Sequence, residues 1–214
     1  MVTTIVVILA FVAIGLSDAS LLTKVNANTL CKGTMLDPSN LRCIYTGSKD
    51  GFDAGKFHAK VDLGLPSLII ASVKSGGGLL GIGAQDQIIG GYNPLGFQSL
   101  NDYRPTRKAF VFAVKDGNPI KCSKIGGADA AVFDFEDEGP VFGAEALRIS
   151  LNARKTGDVK LVTSRLGSDY ERLGGGVGST GGIRDRRAAI VKDGNSLLSE
   201  SSKGFLVELE VYVS

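Results

Sequence analysis

With 214 residues, 43% of them hydrophobic and 21% charged, the chain carries enough apolar material for a real core, which excludes disorder by composition and fits one domain. Net charge is +2, from 24 basic and 22 acidic residues, and both signs are scattered. The electrostatic footprint of a nucleic-acid binder is therefore absent.

Residues 1–19 depart from the rest. Ile5 to Leu16 is almost purely apolar, and Ser17-Asp18-Ala19 offers the small residues that a signal peptidase reads, so cleavage after Ala19 is expected, with a secreted or lumenal destination. Only the α-amino group supplies positive charge ahead of the apolar stretch, which keeps an uncleaved membrane anchor as the alternative. About twelve apolar residues nevertheless fall short of the ~20 that a bilayer-spanning helix needs, so no integral span is expected after cleavage. The remaining domain is 20–214.

Leu21 to Leu36 reads as a short helix, ended by the turn cluster Asp37-Pro38-Ser39-Asn40. Cys31 and Cys43 flank that turn. In an oxidising compartment a disulfide between them closes a short loop, worth on the order of 3 kcal/mol through loop-closure entropy. A second helix follows Gly51: Asp53 caps it, Ala54, Phe57 and Val61 fall at i, i+3 and i+7, and Gly64-Leu65-Pro66 lies beyond its end. His58, the only histidine, sits beside that apolar stripe. Zinc sites need several His or Cys ligands and a Ser-His-Asp relay would rest on this one imidazole, so a packed or surface-bridging role is expected, with a His58-centred hydrolase as the competing reading.

From Ser67 the pattern turns to strands. Leu68-Ile69-Ile70-Ala71-Ser72-Val73 is apolar on both sides and suits a strand covered on two faces. Between Gln87 and Asn152, short apolar strands alternate with paired glycines: Ile88-Ile89-Gly90-Gly91-Tyr92, Ala109 to Val114, and Gly139-Pro140-Val141-Phe142-Gly143 to Ile149. Cys122 lies in an alternating stretch, Pro119 to Lys124, and reads as a half-buried free thiol. Asp134, Glu136, Asp137 and Glu138 form an acidic run before Gly139-Pro140. Converging carboxylates hold calcium, but the spacing is not that of an EF-hand, and a solvated turn is the plainer expectation.

Gly176-Val177-Gly178-Ser179-Thr180-Gly181 spells G-x-G-x-x-G without a strand before it or a helix after it, so a surface loop is expected and no nucleotide cofactor. Arg184, Arg186 and Arg187 around Asp185 form an exposed loop and a candidate docking patch. At the C-terminus Phe205, Val207, Leu209, Val211 and Val213 occupy odd positions with Glu208 and Glu210 between them, the pattern of a half-buried antiparallel strand. The fold class is α+β, mainly β: a two-sheet antiparallel β-sandwich with a few flanking helices.

Seven pieces in order, Asp50-Gly51-Phe52, Phe57-His58 with Asp62, Ile89-Gly90-Gly91-Tyr92, Ala109-Phe110-Val111-Phe112, Gly139 to Gly143, Leu166 to Glu171 and Val207 to Tyr212, resemble the landmarks of the TLDc domain family. The resemblance runs from Leu21 to Ser214. It implies a two-sheet β-sandwich without a settled catalytic reaction, a link with protection against oxidative damage, and, in several members, binding to the cytosolic sector of the vacuolar proton pump. This chain departs from the family in its leader, in an inserted Gly76 to Gly83 stretch, and in Val61 where cysteine is common. A lumenal protein cannot touch a cytosolic pump sector, so the leader weighs against the pump-binding role.

The expected function is thus a non-enzymatic interaction or protective module that binds a protein partner. It acts either by docking through its Gly-rich and Arg-bearing loops or by sacrificial oxidation of Cys122. An extracellular sandwich that binds glycan or calcium through Asp134 to Glu138 and the loop glycines is the alternative.

Overall fold

The computed structural model describes residues 20–76, 84–152, 160–174, 195–198 and 201–214. Its β-branched and aromatic runs form eleven described strands: β1 (Arg42–Thr46), β2 (Ser67–Ser75), β3 (Gln85–Asn93), β4 (Asp102–Arg104), β5 (Phe110–Lys115), β6 (Asn118–Ser123), β7 (Val132–Asp134), β8 (Val141–Phe142), β9 (Leu147–Ile149), β10 (Leu161–Thr163) and β11 (Lys203–Val213). All their pairings are antiparallel. They make one ladder in the order β4-β7-β8-β9-β10-β11-β2-β3-β5-β6, with β1 added against β11.

This single ladder doubles over on itself, and that is how the expected sandwich is realised. Gly91 of β3 and Phe142 of β8 are far apart in the ladder, yet a Cβ on Gly91 would stand 2.6 Å from the Phe142 ring. Only glycine permits so close an approach. Between the two halves, Ile69, Ile89 and Val111 from one side and Val132, Phe142, Leu147, Ile149 and Val162 from the other join one apolar cluster. Tyr170, fully buried, belongs to the same cluster and donates its hydroxyl hydrogen to Ala131 O at 2.7 Å.

The helices lie early in the chain. The segment expected as one helix from Leu21 forms a 3-10 turn (Leu21–Lys24) and then α1 (Ala27–Cys31). Asn26 explains the break, because its side-chain oxygen accepts from Thr29 N at 3.1 Å and so caps a new start. A short α2 (Gly47–Asp50) comes next, and then α3 (Ala54–Val61), capped by Asp53 as expected, with Ala54, Phe57 and Val61 buried. The N-terminal segment lies over the outer face of the central strands. There Leu21, Leu30, Cys31 and Leu36 form a second, smaller core with Leu68, Ile70, Tyr92, Phe110 and Tyr212, so β2 is covered on both faces.

The C-terminal strand departs from its expected alternation. Phe205 and Val207 are 50% and 42% exposed, while Leu206 is buried together with Leu209 and Val211. The register against β2 shifts between Leu206 and Glu208. One extra residue in a bulge reverses which face each later side chain meets. Beyond the bulge the supposedly polar face is covered as well, and Glu210 is buried.

Candidate functional site

Strand β7 carries one chemistry inward and another outward, because successive residues of a strand face opposite sides. Inward, the Asp134 side chain is wholly buried and accepts three kinds of hydrogen bond: from Gln98 N at 3.1 and 3.2 Å, from Ser99 N at 3.1 Å and from Arg104 Nη1 at 2.8 Å. Asn101 N adds a bond to the Asp134 carbonyl at 2.7 Å. The loop from Gln98 to Asn101 is thereby wrapped around one carboxylate. Two of its residues, Ser99 and Asn101, hold left-handed backbone angles of +51° and +56°, a conformation that persists where surrounding bonds enforce it.

From that loop the network runs to α3. Ser99 Oγ donates to Asp62 Oδ2 at 2.5 Å, Asp62 Oδ1 lies 2.8 Å from His58 Nδ1, and His58 Nε2 lies 3.0 Å from Glu138 O. Both imidazole nitrogens therefore face oxygen acceptors, and the ring is 7% exposed. The order of the groups decides their chemistry. A nucleophile relay needs the imidazole beside the hydroxyl, whereas here the Asp62 carboxylate stands between Ser99 and His58. That geometry excludes a Ser99–His58 nucleophile relay, and His58 sits packed between Asp62 and the Glu138 carbonyl.

His58, Asp62 and Asp134 each offer a ligand atom within 4.8 Å of the others, close enough to hold a metal ion. Every one of those atoms is already engaged, and the Arg104 guanidinium occupies the cationic position beside Asp134. A metal would have to displace an arginine and open several hydrogen bonds, so the residues fit a closed polar network better than a coordination shell.

The acidic run does not converge either. Asp134 points into the core, Glu138 pairs with Arg148 Nη1 at 3.1 Å, and Glu136 and Asp137 are exposed. Calcium needs carboxylates curled around one point; these four diverge.

Outward, β4 and β7 present aromatic rings. Tyr103 stands opposite Phe133 in the ladder, its ring 4.3 Å from that of Phe133 and 5.8 Å from that of Phe135, both edge-on. Tyr103 is 52% exposed. Beside it opens a cleft of about 200 Å³ lined by Tyr103, Phe133, Phe135, Glu138, Val141 and Arg148. Leu100, also exposed, projects from the loop pinned by Asp134, and exposed Leu63 and Leu65 flank Gly64, whose N–H bonds to Phe97 O at 3.1 Å. Exposed aromatic rings with an arginine beside a cleft are the composition of an interaction surface. Sequence reading missed this face, although Phe133-x-Phe135 with Tyr103 is a period-2 aromatic signal. The acidic residues between the rings drew attention instead.

The cysteines are placed differently from expectation. All three are free; Cys31 and Cys43 are not joined. Cys31 packs in the smaller core, while Cys43 is exposed on β1 with its thiol 3.2 Å from Tyr45 O. Cys122 is fully buried, opposite Val111, rather than half-buried. Burial, and then the Glu171 charge, push its thiol up to about 12. At neutral pH it carries almost no thiolate, the form that reacts with oxidants, so it is poorly suited to sacrificial chemistry. Arg184, Arg186 and Arg187 lie outside the described residues, as does Gly176 to Gly181.

Among the described residues, no helix is long and apolar enough to cross a membrane. A search of curated proteins finds no match. Among protein-family models, the TLDc domain matches residues 16–171, a span that holds the His58 network, the aromatic face and all strands from β1 to β10. That match takes in well over half of the chain, which therefore belongs to the TLDc domain family.

Proposed function

We propose that this protein is a non-enzymatic interaction module, secreted or lumenal, which docks a protein partner on the aromatic face around Tyr103 and serves in resistance to oxidative damage. The observation that carries the reading is the exposed Tyr103 ring, stacked edge-on against Phe133 and Phe135 beside the Arg148–Glu138 pair. Family membership supports the protective process, and the Ile5 to Leu16 leader supports the location. The locked His58 ring and the buried Cys122 thiol favour binding over turnover or sacrificial oxidation.

The test uses the purified protein as bait in the fluid or lumen where it resides. Wild type and Lys115→Glu, a change at the far end of the ladder, are expected to retain the same partner, whereas Tyr103→Ser and Arg148→Glu lose it. Retention by all four proteins rejects the aromatic face. Peroxide survival is expected to be unaltered by Cys122→Ser, and loss of protection in that variant would restore the thiol mechanism.

The same cleft favours one further reading, a glycan-binding site, since ring faces and a neighbouring guanidinium–carboxylate pair suit a sugar's C–H face and hydroxyls. Binding on a glycan array that disappears with Tyr103→Ser would select it; the calcium form of this alternative has no support from the divergent carboxylates.

A further inference from the structure

Glu210 interrupts the apolar run of β11, opposite Thr46 on one side and Ile70 on the other, and is 6% exposed. Its Oε2 accepts from Leu21 N at 2.8 Å, from Ser20 Oγ at 3.4 Å and from the Tyr212 hydroxyl. Ser20 Oγ in turn lies 2.6 Å from Tyr212 OH. Burial and the Glu210 carboxylate both push the Tyr212 phenol up, so it stays neutral and brings no charge. Among the described residues Glu210 has no cationic partner. A buried carboxylate held only by dipoles is unusual, since buried charges are ordinarily paired.

The missing charge has an obvious source in the sequence. Ser20 and Leu21, the two residues gathered on this carboxylate, directly follow Ser17-Asp18-Ala19, the small-residue stretch at the end of the apolar leader. We infer that the chain is cut between Ala19 and Ser20 and that the α-ammonium group so created on Ser20 is captured by Glu210, pinning the mature N-terminus onto the central strand. The inference rests on reading residues 1–19 as a leader. The cut is a hydrolysis by a signal peptidase: the Ala19–Ser20 C–N bond breaks, water's oxygen goes to the Ala19 carbonyl carbon, and the new carboxylic acid's proton is lost as the Ser20 nitrogen becomes –NH3+. No redox partner is required.

The exchange replaces a neutral amide by a full positive charge one residue from an amide already bonded to Glu210. It gives the 3-10 turn at Leu21 a fixed start, and with it the segment that covers Leu68, Ile70 and Tyr212. Cleavage thereby supplies a cation to the folded state, because the cut chain brings an α-ammonium group to the place where β11 buries the Glu210 carboxylate.

The full chain is produced in a secreting eukaryotic cell and the product is read by intact mass and N-terminal sequencing, with Ser20 expected first. The mature protein is then melted before and after selective acetylation of its α-amine, alongside Glu210→Gln treated in the same way. Acetylation is expected to lower the melting temperature by about 3–8 °C in wild type and by roughly 1 °C or less in Glu210→Gln. Should the variant fail to be secreted, titration of the α-amine by NMR in wild type serves instead, with a value above the ordinary ~7.7–8.0 expected. A first residue other than Ser20 overturns the cut and the leader reading together. A Ser20 start with equal acetylation losses in both proteins, or with an amine that titrates normally, overturns the capture while leaving the leader standing.

Discussion

The two faces of β7 differ more than their shared backbone suggests. Behind the strand, Asp134, Arg104, Ser99, Asp62 and His58 satisfy one another; in front, Tyr103, Phe133 and Phe135 show rings to solvent beside a cleft. The charged residues, which seemed the natural seat of chemistry, are the scaffold. The apolar ones are what a partner can meet. A polar network closed on itself stabilises one loop conformation, while an open aromatic patch costs little to the fold and is available for association.

Breaking the rear face should cost most. Asp134→Ala leaves the Arg104 guanidinium without its carboxylate and frees two backbone N–H groups in a left-handed turn, so a loss of about 3–5 kcal/mol is expected in urea denaturation. The exposed rings of the front face would then lose their fixed setting too, and partner capture should fall with stability. If Asp134→Ala unfolds at the wild-type urea concentration, the network is not what holds the Gln98–Asn101 loop.

The next effect follows from what is buried elsewhere and the cleft is not. The Cys122 thiol, raised to about 12, binds its proton more tightly in the folded chain than in the unfolded one, where about 8.5–9 applies. Its contribution is fully present below that unfolded value and is lost as pH climbs toward 12. By pH 10.5 roughly 2 kcal/mol of stability should be gone on this account. Tyr45 and Tyr170, both raised chiefly by burial, add to the same alkaline loss. Urea midpoints collected from pH 8 to 10.5 should therefore fall less steeply in Cys122→Ala than in wild type, and parallel slopes would mean that the thiol is not protected.

The front face sharpens the contrast from its own side. Tyr103→Ser removes a half-exposed ring from an edge strand, so it should cost about 1 kcal/mol or less of stability. Its effect on partner affinity should be tenfold or more, as expected of an aromatic anchor. Calorimetry of unfolding and a binding titration on one preparation separate the two. A variant that loses stability and binding in proportion would make the ring part of the scaffold.

How much of this was legible beforehand depends on the distance over which a residue's environment is decided. The cap at Asp53 and the stripe of Ala54, Phe57 and Val61 are local, and α3 formed as read. The double burial of β2 was equally visible in its unbroken apolar run. The alternation of β11 was misread because a single bulge after Leu206 reverses the faces, and nothing in Leu-Val-Glu announces an inserted residue. Asp134 illustrates the longer range. Its inward direction follows from its pairing with Asp102 and its bond to Arg104, thirty residues back, which no reading of the acidic run alone reveals.

The smallest expected effect bears on that same run. Glu136 and Asp137 share the segment with Asp134 and Glu138 but face solvent. Four carboxylates in five positions suggest calcium only so long as their directions are unknown. Two of them are consumed by Arg104 and Arg148 at 2.8 and 3.1 Å, and among the described residues Glu136 and Asp137 belong to no cluster of metal-ligating side chains. Replacing Glu136 by Gln together with Asp137 by Asn should therefore change stability by no more than about 0.5 kcal/mol, with or without millimolar calcium. A calcium-dependent rise in melting temperature that vanishes in the double variant would show the two outer carboxylates recruiting ligands from the neighbouring backbone, and the division of β7 into a charged interior and an apolar front would have to be redrawn.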